Sequence, residues 1–201
     1  MNGVAAAYNK IAGWFDSNRT RVLIEGPYLE ALAQAVPPGA SVLDLGCGTG
    51  EPILRYLVER GHTVLGVDAS AAMIDIASAR FRGTHFVVAD MRQLALDETF
   101  DAVIAWHSLF HLPHADQRAM FPTFAQLLRP GGVLVFTSGS EAGEAWSENG
   151  GETLYHASLD LHEYRSLLET HGFQVLQLAV DDAACGGATV WIARLQPWGQ
   201  V

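Results

Sequence analysis

The 201-residue sequence is poor in cysteine, and no cysteine or histidine spacing in it resembles a zinc site. Its two cysteines are Cys47 and Cys185. Cys47 lies in a glycine-rich turn that we interpret as a ligand-binding segment, so a disulfide to Cys185 is not expected. These features predict a protein without a metal site, kept reduced in the cytoplasm.

Basic residues are also scarce, since 12 Lys and Arg stand against 22 Asp and Glu, a formal net charge of −10. Non-specific binding of nucleic acid depends on Lys and Arg, so nucleic acid is not an expected partner. No apolar run reaches the roughly 18 residues that a membrane span needs. Residues 1–8 lack a basic segment followed by an apolar block, so we expect neither a secretory signal nor a membrane partner.

Apolar residues, in contrast, are plentiful: they make up 49% of the chain, with a mean hydropathy of +0.15. This length and composition predict one globular domain over residues 1–201, large enough for a sizeable core. We expect a monomer or a homodimer.

Residues 41–52 organise the rest of the chain. The five residues Ser41–Leu45 are typical of a buried strand, and Pro52 opens a helical pattern that continues to residue 60. Between them lie three glycines at alternating positions, Gly46, Gly48 and Gly50. Glycine allows a sharp turn and a close approach of a ligand to the backbone, so a strand, a binding turn and a helix are predicted.

The next strand pattern, residues 63–67, ends in Asp68, which lies 22 residues after Gly46. A nucleotide-binding βαβ unit has its ribose-binding carboxylate at this spacing. The dinucleotide fingerprint requires a third glycine where Glu51 stands, and Asp44 and Glu51 would repel a diphosphate. These carboxylates suit a cation such as S-adenosylmethionine, which combines a ribose diol with a sulfonium and an ammonium.

Residues 43–50, Leu-Asp-Leu-Gly-Cys-Gly-Thr-Gly, resemble motif I of the class I S-adenosylmethionine-dependent methyltransferases. Four later segments are also similar to this family: residues 66–70, 88–91, 100–107 and 128–135. The resemblance implies an α/β fold, a doubly wound, mostly parallel seven-stranded sheet of order 3-2-1-4-5-7-6. Its strand 7 would be antiparallel, with helices on both faces. It also implies S-adenosylmethionine as the cofactor and S-adenosylhomocysteine as the product.

Roles for individual residues follow from the same resemblance. Asp68 would bind the ribose hydroxyls, the Asp90 side chain would meet the adenine amine, and Met91 would flank the adenine ring. The residues expected at the cofactor are Tyr8, Asp44, Gly46, Cys47, Gly48, Gly50, Asp68, Ala69, Met73, Asp90, Met91 and Trp106.

Two segments are expected to cover the site. Residues 1–36 would form an N-terminal helical lid, as in similar methyltransferases, although a surface helix that packs its apolar face is the alternative. Residues 138–159 contain four glycines, four glutamates and two aromatics, and we interpret them as a substrate-facing insertion rather than a solvated acidic loop. The side chains expected at the substrate are Trp14, Phe15, His111, Trp146, Tyr155 and His156.

Among eight histidines, His107 is the candidate catalytic residue because it directly follows the fourth strand, at the sheet edge where ligands bind. It would act as a base or orient the substrate, whereas the alternative is a histidine that only holds the loop. His111 also has packing as its alternative role. A base is needed only if the acceptor is a hydroxyl or a protonated amine.

Local patterns give further expectations. We expect the N-terminal helix to continue through residues 19–25 and to break at Gly26 and Pro27. Pro122 predicts a kink or a break in the helix before the fifth strand. Ser70 and Asp160 are predicted helix caps.

The function predicted from these observations is methyl transfer from S-adenosylmethionine to a small-molecule acceptor, on oxygen or nitrogen. Small size and acidic charge favour a small acceptor over nucleic acid. One alternative is an NAD(P)-dependent oxidoreductase of the Rossmann type. Another is a non-catalytic protein that binds S-adenosylmethionine for regulation.

Overall fold

An open sheet of seven strands separates two layers of helices in the computed structural model, which describes residues 2–197. The helices are α1 (Asn2–Asn18), α2 (Gly26–Ala35), α3 (Ile53–Glu59), α4 (Ala71–Arg80), α5 (His114–Leu127) and α6 (Leu161–Thr170). The strands are β1 (Ser41–Leu45), β2 (Thr63–Asp68), β3 (His85–Val88), β4 (Phe100–Ala105), β5 (Leu128–Ser138), β6 (Gly143–Asn149), β7 (Glu152–Ser158), β8 (Phe173–Asp182) and β9 (Ala188–Leu195).

The order of the main sheet is β3-β2-β1-β4-β5-β9-β8. Strands β6 and β7 form a separate two-stranded sheet, so β8 and β9 take the places of the predicted sixth and seventh strands. Strand β9 runs antiparallel to β5, while β1 pairs in parallel with β2 and β4. The predicted fold class, strand order and antiparallel last strand are therefore confirmed.

Two apolar cores lie on the two faces of the sheet. On one face, α5 and α6 cover β4, β5 and β9, and Phe136 stacks on Trp191 with ring centroids 5.7 Å apart. On the other face, α2, α3 and α4 pack against β1 and β4. Strand β1 could be recognised in the sequence because Val42, Leu43 and Leu45 are apolar, and all three are fully buried. No helix in residues 2–197 is long and apolar enough to cross a bilayer.

Residues 138–159 are mostly a β-hairpin rather than a long loop. Strands β6 and β7 pair in register, with Ala145 opposite His156, and Gly150 and Gly151 form the turn with φ of 58° and 84°. Two consecutive residues with positive φ are the geometry of a tight hairpin turn, which glycine adopts without strain. The Gly-Gly pair was the signal in the sequence for this hairpin.

Two local expectations are wrong, and the break expected as one possibility at Pro122 does not occur. Helix α1 ends at Asn18 and residues 19–25 are not helical, while Gly26 and Pro27 begin α2 instead of breaking a helix. Helix α5 continues through Pro122, because the fully buried Phe121 and Phe124 hold it against the core on both sides of the proline.

Both predicted caps are confirmed. The Ser70 hydroxyl accepts the backbone N–H of Met73 at 3.3 Å. The Asp160 carboxylate accepts that of Glu163 at 2.8 Å. Each cap satisfies a backbone donor that the first turn of a helix leaves without a partner.

The fully buried side chain of Gln117 joins α5 to the end of the hairpin. Its amide nitrogen donates to the carbonyl oxygens of Leu112 at 2.8 Å and Ala157 at 2.9 Å, and its amide oxygen accepts the Tyr164 hydroxyl. A single side chain thus fixes strand β7 relative to the loop that follows β4, and these two segments line the cavity described below.

We expect Gln117→Leu to lower the free energy of unfolding by about 3 kcal/mol, because the two carbonyls and the Tyr164 hydroxyl lose a buried partner. Urea unfolding followed by circular dichroism measures this loss. Gln34→Leu, on the exposed side of α2, is the control and should change stability by less than about 0.5 kcal/mol. Equal losses in both variants would show that the Gln117 junction contributes little.

Candidate functional site

A cavity of about 190 Å³ opens where β1, β2 and β4 end. Helix α1 contributes Val4, Ala5, Tyr8 and Phe15 to its lining, and the hairpin contributes Asn149, Leu154 and His156. Ligands of open α/β sheets bind at this carboxyl edge, beside the point where the strand order reverses. The lining includes the following predicted cofactor residues: Tyr8, Asp44, Gly46, Cys47, Gly48, Asp68, Ala69, Met73, Met91 and Trp106.

The glycine turn is packed too tightly for side chains. Gly46 has φ of 80°, and a Cβ there would lie 2.2 Å from the Cβ of Ser108. The Ser108 hydroxyl donates to the Leu45 carbonyl at 2.6 Å, which ties the turn to the loop after β4. Gly50 does not line the cavity: a Cβ there would lie 2.5 Å from the Phe81 ring, so its role is to let α3 and α4 approach.

Asp68 connects the glycine turn to the end of β2. Its carboxylate accepts the backbone N–H groups of Gly48 at 2.9 Å and Ser70 at 2.8 Å. Burial raises the pKa of Asp68, an effect that these N–H donors oppose. The carboxylate therefore holds the turn and also faces the cavity.

Asp44 is the least compensated charge in the cavity. Its side chain is only 3% exposed, and it makes no hydrogen bond or ion pair with any residue in the described part of the chain. Burial, and secondarily the charge of Asp68, raises the pKa of Asp44 from 3.8 to about 7. A cationic ligand placed against this carboxylate would supply the missing partner.

Glu51 lies in the lining but is not a free carboxylate. The Arg55 guanidinium donates to both of its oxygens, at 2.9 and 3.0 Å from Nε, and Arg80 lies 3.7 Å away. The expectation that Glu51 contributes a free negative charge at the turn is wrong, since Arg55 at i+4 on the following helix compensates it.

Arg19 lines the same cavity and was missed in the sequence. Its Nε donates to the Glu51 carbonyl at 2.9 Å, and its guanidinium lies 5.5 Å from the centroid of the Phe15 ring. No motif in the sequence marked it, because the segment after α1 is irregular and reaches the cavity only through the tertiary fold.

The indole Nε1 of Trp106 belongs to a lining residue but is itself shielded from solvent, and it has no hydrogen-bond partner among the described residues. The Thr49 hydroxyl is also shielded and lies beside the Asp16 carboxylate, whose pKa it helps to lower. A buried donor without an acceptor costs about 1–3 kcal/mol, so the Trp106 nitrogen lowers the stability of the protein.

His111, in the short turn Leu109–His111 that follows β4, couples the lid to the hairpin. His111 Nδ1 lies 2.8 Å from the Tyr155 carbonyl, and His111 Nε2 lies 3.0 Å from the Tyr8 hydroxyl. Because a carbonyl only accepts, Nδ1 carries the hydrogen and Nε2 accepts from Tyr8. Burial lowers the pKa of His111 to about 4, so it is neutral, and both of its nitrogens are engaged.

Helix α1 has further ties to the body of the protein. Asn9 Oδ1 accepts from the Ser70 hydroxyl at 2.8 Å, Arg80 pairs with Asp16 at 2.7 Å, and Lys10 pairs with Glu152 of the hairpin at 2.9 Å. This placement over the cavity supports the lid interpretation of the helix.

His107 lies at the centre of the lining with a free ring. Its backbone has φ of 49° and its N–H donates to the Thr137 hydroxyl at 2.8 Å. The ring packs between Trp106 and Phe110 and makes no hydrogen bond with the residues described. Burial, with smaller effects of Arg19 and His111, lowers the pKa of His107 to about 4.

The predicted substrate residues divide into two groups. Phe15, His111 and His156 line the cavity, and His156 Nε2 lies 2.8 Å from the Ser147 hydroxyl. Trp14, Trp146 and Tyr155 do not line it. Trp14 packs over Gly150 and Trp146 packs on Tyr155, on the outer face of the hairpin.

Asp90 also lies outside the lining, in contrast to its expected contact with adenine. Its carboxylate accepts from Arg92, with Nη2 at 2.6 Å, and caps the turn at the backbone N–H of Arg92. These contacts lower the pKa of Asp90 against the opposing effect of burial. In residues 2–197 no cluster of His, Cys, Asp or Glu is arranged to hold a metal ion.

A cavity at the carboxyl edge of this sheet, built on a Gly-x-Gly-x-Gly turn and an acidic residue at the end of β2, is the site geometry of the nucleotide-binding doubly wound α/β proteins. A family model described as a methyltransferase domain matches residues 42–132. The chain belongs to the class I S-adenosylmethionine-dependent methyltransferases.

Two relatives are named malonyl-[acyl-carrier protein] O-methyltransferase. The one from Serratia marcescens is 33% identical over 169 residues, covering 81% of this chain and 65% of the relative. The one from Pseudescherichia vulneris is 34% identical over 193 residues, covering 90% of this chain and 74% of the relative. This chain thus spans about two thirds to three quarters of their length.

Solved structures share the fold. An amino pentose methyltransferase from Micromonospora echinaspora, with S-adenosylmethionine bound, has a TM-score of 0.73 at 20% identity, covering 92% of this chain and 95% of that one. A 1,6-didemethyltoxoflavin-N1-methyltransferase from Burkholderia thailandensis has a TM-score of 0.72 at 21% identity, covering 96% of this chain and 88% of that one.

The raised pKa of Asp44 predicts a dependence of stability on pH in the ligand-free protein. Because the pKa rises from 3.8 to about 7 on folding, its contribution is fully present below pH 3.8 and is lost as the pH rises to about 7. We expect Asp44→Asn to melt about 5 °C higher than the wild type at about pH 8, with a smaller difference at about pH 5.

Differential scanning calorimetry at both pH values measures this effect. Asp75→Asn, on the exposed side of α4, is the matched control and should melt as the wild type does. A melting temperature of Asp44→Asn equal to that of the wild type at the higher pH would contradict burial of an uncompensated charge.

Proposed function

We propose that this protein transfers a methyl group from S-adenosylmethionine to a small-molecule acceptor, on oxygen or nitrogen. The observation that carries the proposal is the buried, unpartnered carboxylate of Asp44 in a cavity that also holds Asp68 and Arg19. A ligand with two cationic groups, a ribose diol and a carboxylate matches this set of charges.

The residues of the cavity fit that ligand group by group. Asp68, at the end of β2, would accept hydrogen bonds from the ribose hydroxyls, and Asp44 would compensate a cationic group. Arg19 would pair with the amino-acid carboxylate, since a guanidinium is well suited to that partner.

S-adenosylmethionine supplies, when bound, an electrophilic methyl group on a sulfonium. The protein's contribution is to hold the acceptor in line and to exclude water, and positioning of this kind can supply roughly 7–11 kcal/mol of the barrier. Helix α1 closes the cavity, held there by the Tyr8–His111 hydrogen bond.

His107 would orient the acceptor rather than act as a strong base. Its pKa of about 4 keeps the imidazole neutral at pH 7, so a ring nitrogen accepts a hydrogen bond but gains a proton only weakly. Its free ring distinguishes it from His111, whose two nitrogens already have partners.

The buried free thiols of Cys47 and Cys185 support a reducing, cytoplasmic location, and the net charge of −10 supports an acceptor other than nucleic acid.

Calorimetric titration tests the cofactor. S-adenosylmethionine and S-adenosylhomocysteine should bind, and NAD and NADP should not, because Asp44 at the glycine turn would repel a diphosphate and Glu51 replaces the third glycine of the dinucleotide fingerprint. Binding of the dinucleotides alone would favour the oxidoreductase alternative.

We expect Asp68→Ala to weaken S-adenosylhomocysteine binding about 100-fold or more, through loss of two charge-assisted hydrogen bonds of about 1.5–3 kcal/mol each. Isothermal titration calorimetry measures the change. Asp75→Ala is the control and should bind as the wild type does. Unchanged affinity in Asp68→Ala would remove this residue from the binding site.

For His107 the informative variant is His107→Asn, because asparagine tolerates the positive φ at this position. Because the shorter asparagine side chain would not place its acceptor atom where the imidazole nitrogen lies, we expect turnover with an acceptor that the wild type methylates to fall about 100-fold, with affinity for S-adenosylhomocysteine nearly unchanged. Release of S-adenosylhomocysteine measures turnover, and His162→Ala on the surface of α6 is the control. Normal turnover would exclude His107 from the mechanism, and no turnover with any acceptor in the wild type would favour the regulatory alternative.

A further inference from the structure

A second space, an open groove of about 470 Å³, lies outside the cofactor cavity. We call it the outer groove. It runs between the start of the hairpin, represented by Gly143 and Ala145, and the turn between β8 and β9, represented by Gly186 and Gly187. Ser138, at the end of β5, and the following Gly139 also line the groove.

The outer groove adjoins the cofactor cavity, and three aromatic rings line both spaces at the junction. His107, Phe110 and His156 line both spaces. The rings touch one another, since the centroid of Phe110 lies 5.5 Å from that of His107 and 5.1 Å from that of His156. A molecule in the outer groove would therefore reach the bound methyl donor beside His107. The His107 ring has no hydrogen-bond partner among the described residues.

We propose that the outer groove is the acceptor subsite and that it favours an acceptor with a positively charged amine remote from the atom that is methylated. The proposal rests on the proposed function. Helix α1 lies over the other side of the cofactor cavity, so the acceptor would meet the methyl donor directly where the two spaces adjoin, beside these three rings.

Charge in the outer groove supports the amine. Its lining contains Glu141 and Glu144, and it contains no lysine or arginine among the residues that the structure describes. The Glu144 side chain lies on the Tyr155 face of the hairpin, so the charge that faces the groove is that of Glu141. Burial lowers the pKa of both His107 and His156, so these rings add no positive charge at neutral pH. An acceptor with a free carboxylate would meet a like charge here, whereas an ammonium would meet an opposite one.

The register of the hairpin identifies a position at which a larger side chain would block the outer groove. Ala145 lies directly opposite His156 in the hairpin register, and side chains of such a pair point to the same face. A leucine at Ala145 would therefore extend beside His156 into the groove. Ala142, three residues earlier, is exposed and does not line the groove, which makes it a matched control.

The probes are S-adenosylhomocysteine and nitrogen analogues of S-adenosylmethionine whose methyl group is replaced by a hexyl, an aminohexyl or a carboxypentyl arm. The arm takes the direction of the transferred methyl group, so no knowledge of the natural acceptor is needed. Isothermal titration calorimetry gives the affinity of each probe for the wild-type protein and its variants.

In the wild type we expect the aminohexyl analogue to bind more tightly than the hexyl analogue, and the carboxypentyl analogue to bind least tightly. Ala145→Leu should weaken the aminohexyl analogue about tenfold and leave S-adenosylhomocysteine unchanged, while Ala142→Leu changes neither. Affinity for the armed analogues that Ala145→Leu does not alter would overturn the outer groove as the acceptor subsite.

Glu141→Gln tests the charge preference. We expect it to reduce the advantage of the aminohexyl over the carboxypentyl analogue about two- to fivefold, the effect typical of an exposed ion pair. Glu148→Gln, on the same hairpin but outside the groove lining, is the control. Tighter binding of the carboxypentyl analogue would overturn the amine preference and favour an acid acceptor. Failure of S-adenosylhomocysteine itself to bind would overturn the proposed function, and the acceptor subsite with it.

Discussion

A buried carboxylate, Asp44, and a partly buried one, Asp68, lie on neighbouring parallel strands, and the rest of the site depends on them. Asp44 and Asp68 stand near the ends of β1 and β2, where the strands pair in register. Asp68 is stabilised by backbone N–H donors, but Asp44 has no partner among the described residues. The fold holds a charge that it does not compensate, and the glycine turn, the lid helix and the hairpin surround that charge with a space shaped for a cation.

The sheet was predictable because its evidence is local. The strand pattern of Ser41–Leu45, the alternating glycines and the spacing to Asp68 each depend on a few neighbouring residues, and together they define one βαβ unit. The caps at Ser70 and Asp160 were readable for the same reason. The continuation of α5 through Pro122 could not be predicted, because the burial of Phe121 and Phe124 on both sides of it depends on contacts with distant strands.

The site was only partly predictable, because several of its contacts are set by tertiary packing. Arg19 follows a helix without any motif, yet it reaches the cavity beside Phe15. Asp90 has a motif, yet Arg92 two residues later engages its carboxylate. The sequence pattern predicts which residue types stand at an edge of the sheet. Their ion pairs depend on neighbours that tertiary folding brings close, and the pattern does not identify those neighbours.

The backbone at His107 limits how this site can diversify. A positive φ at a residue other than glycine is adopted most readily by asparagine, aspartate and histidine, so few side chains can stand at this position without strain. The hairpin strands β6 and β7 carry no such restriction outside their Gly-Gly turn. Over evolution, a change of substrate range would therefore come more easily from mutations in the hairpin than from replacement of the ring at its centre.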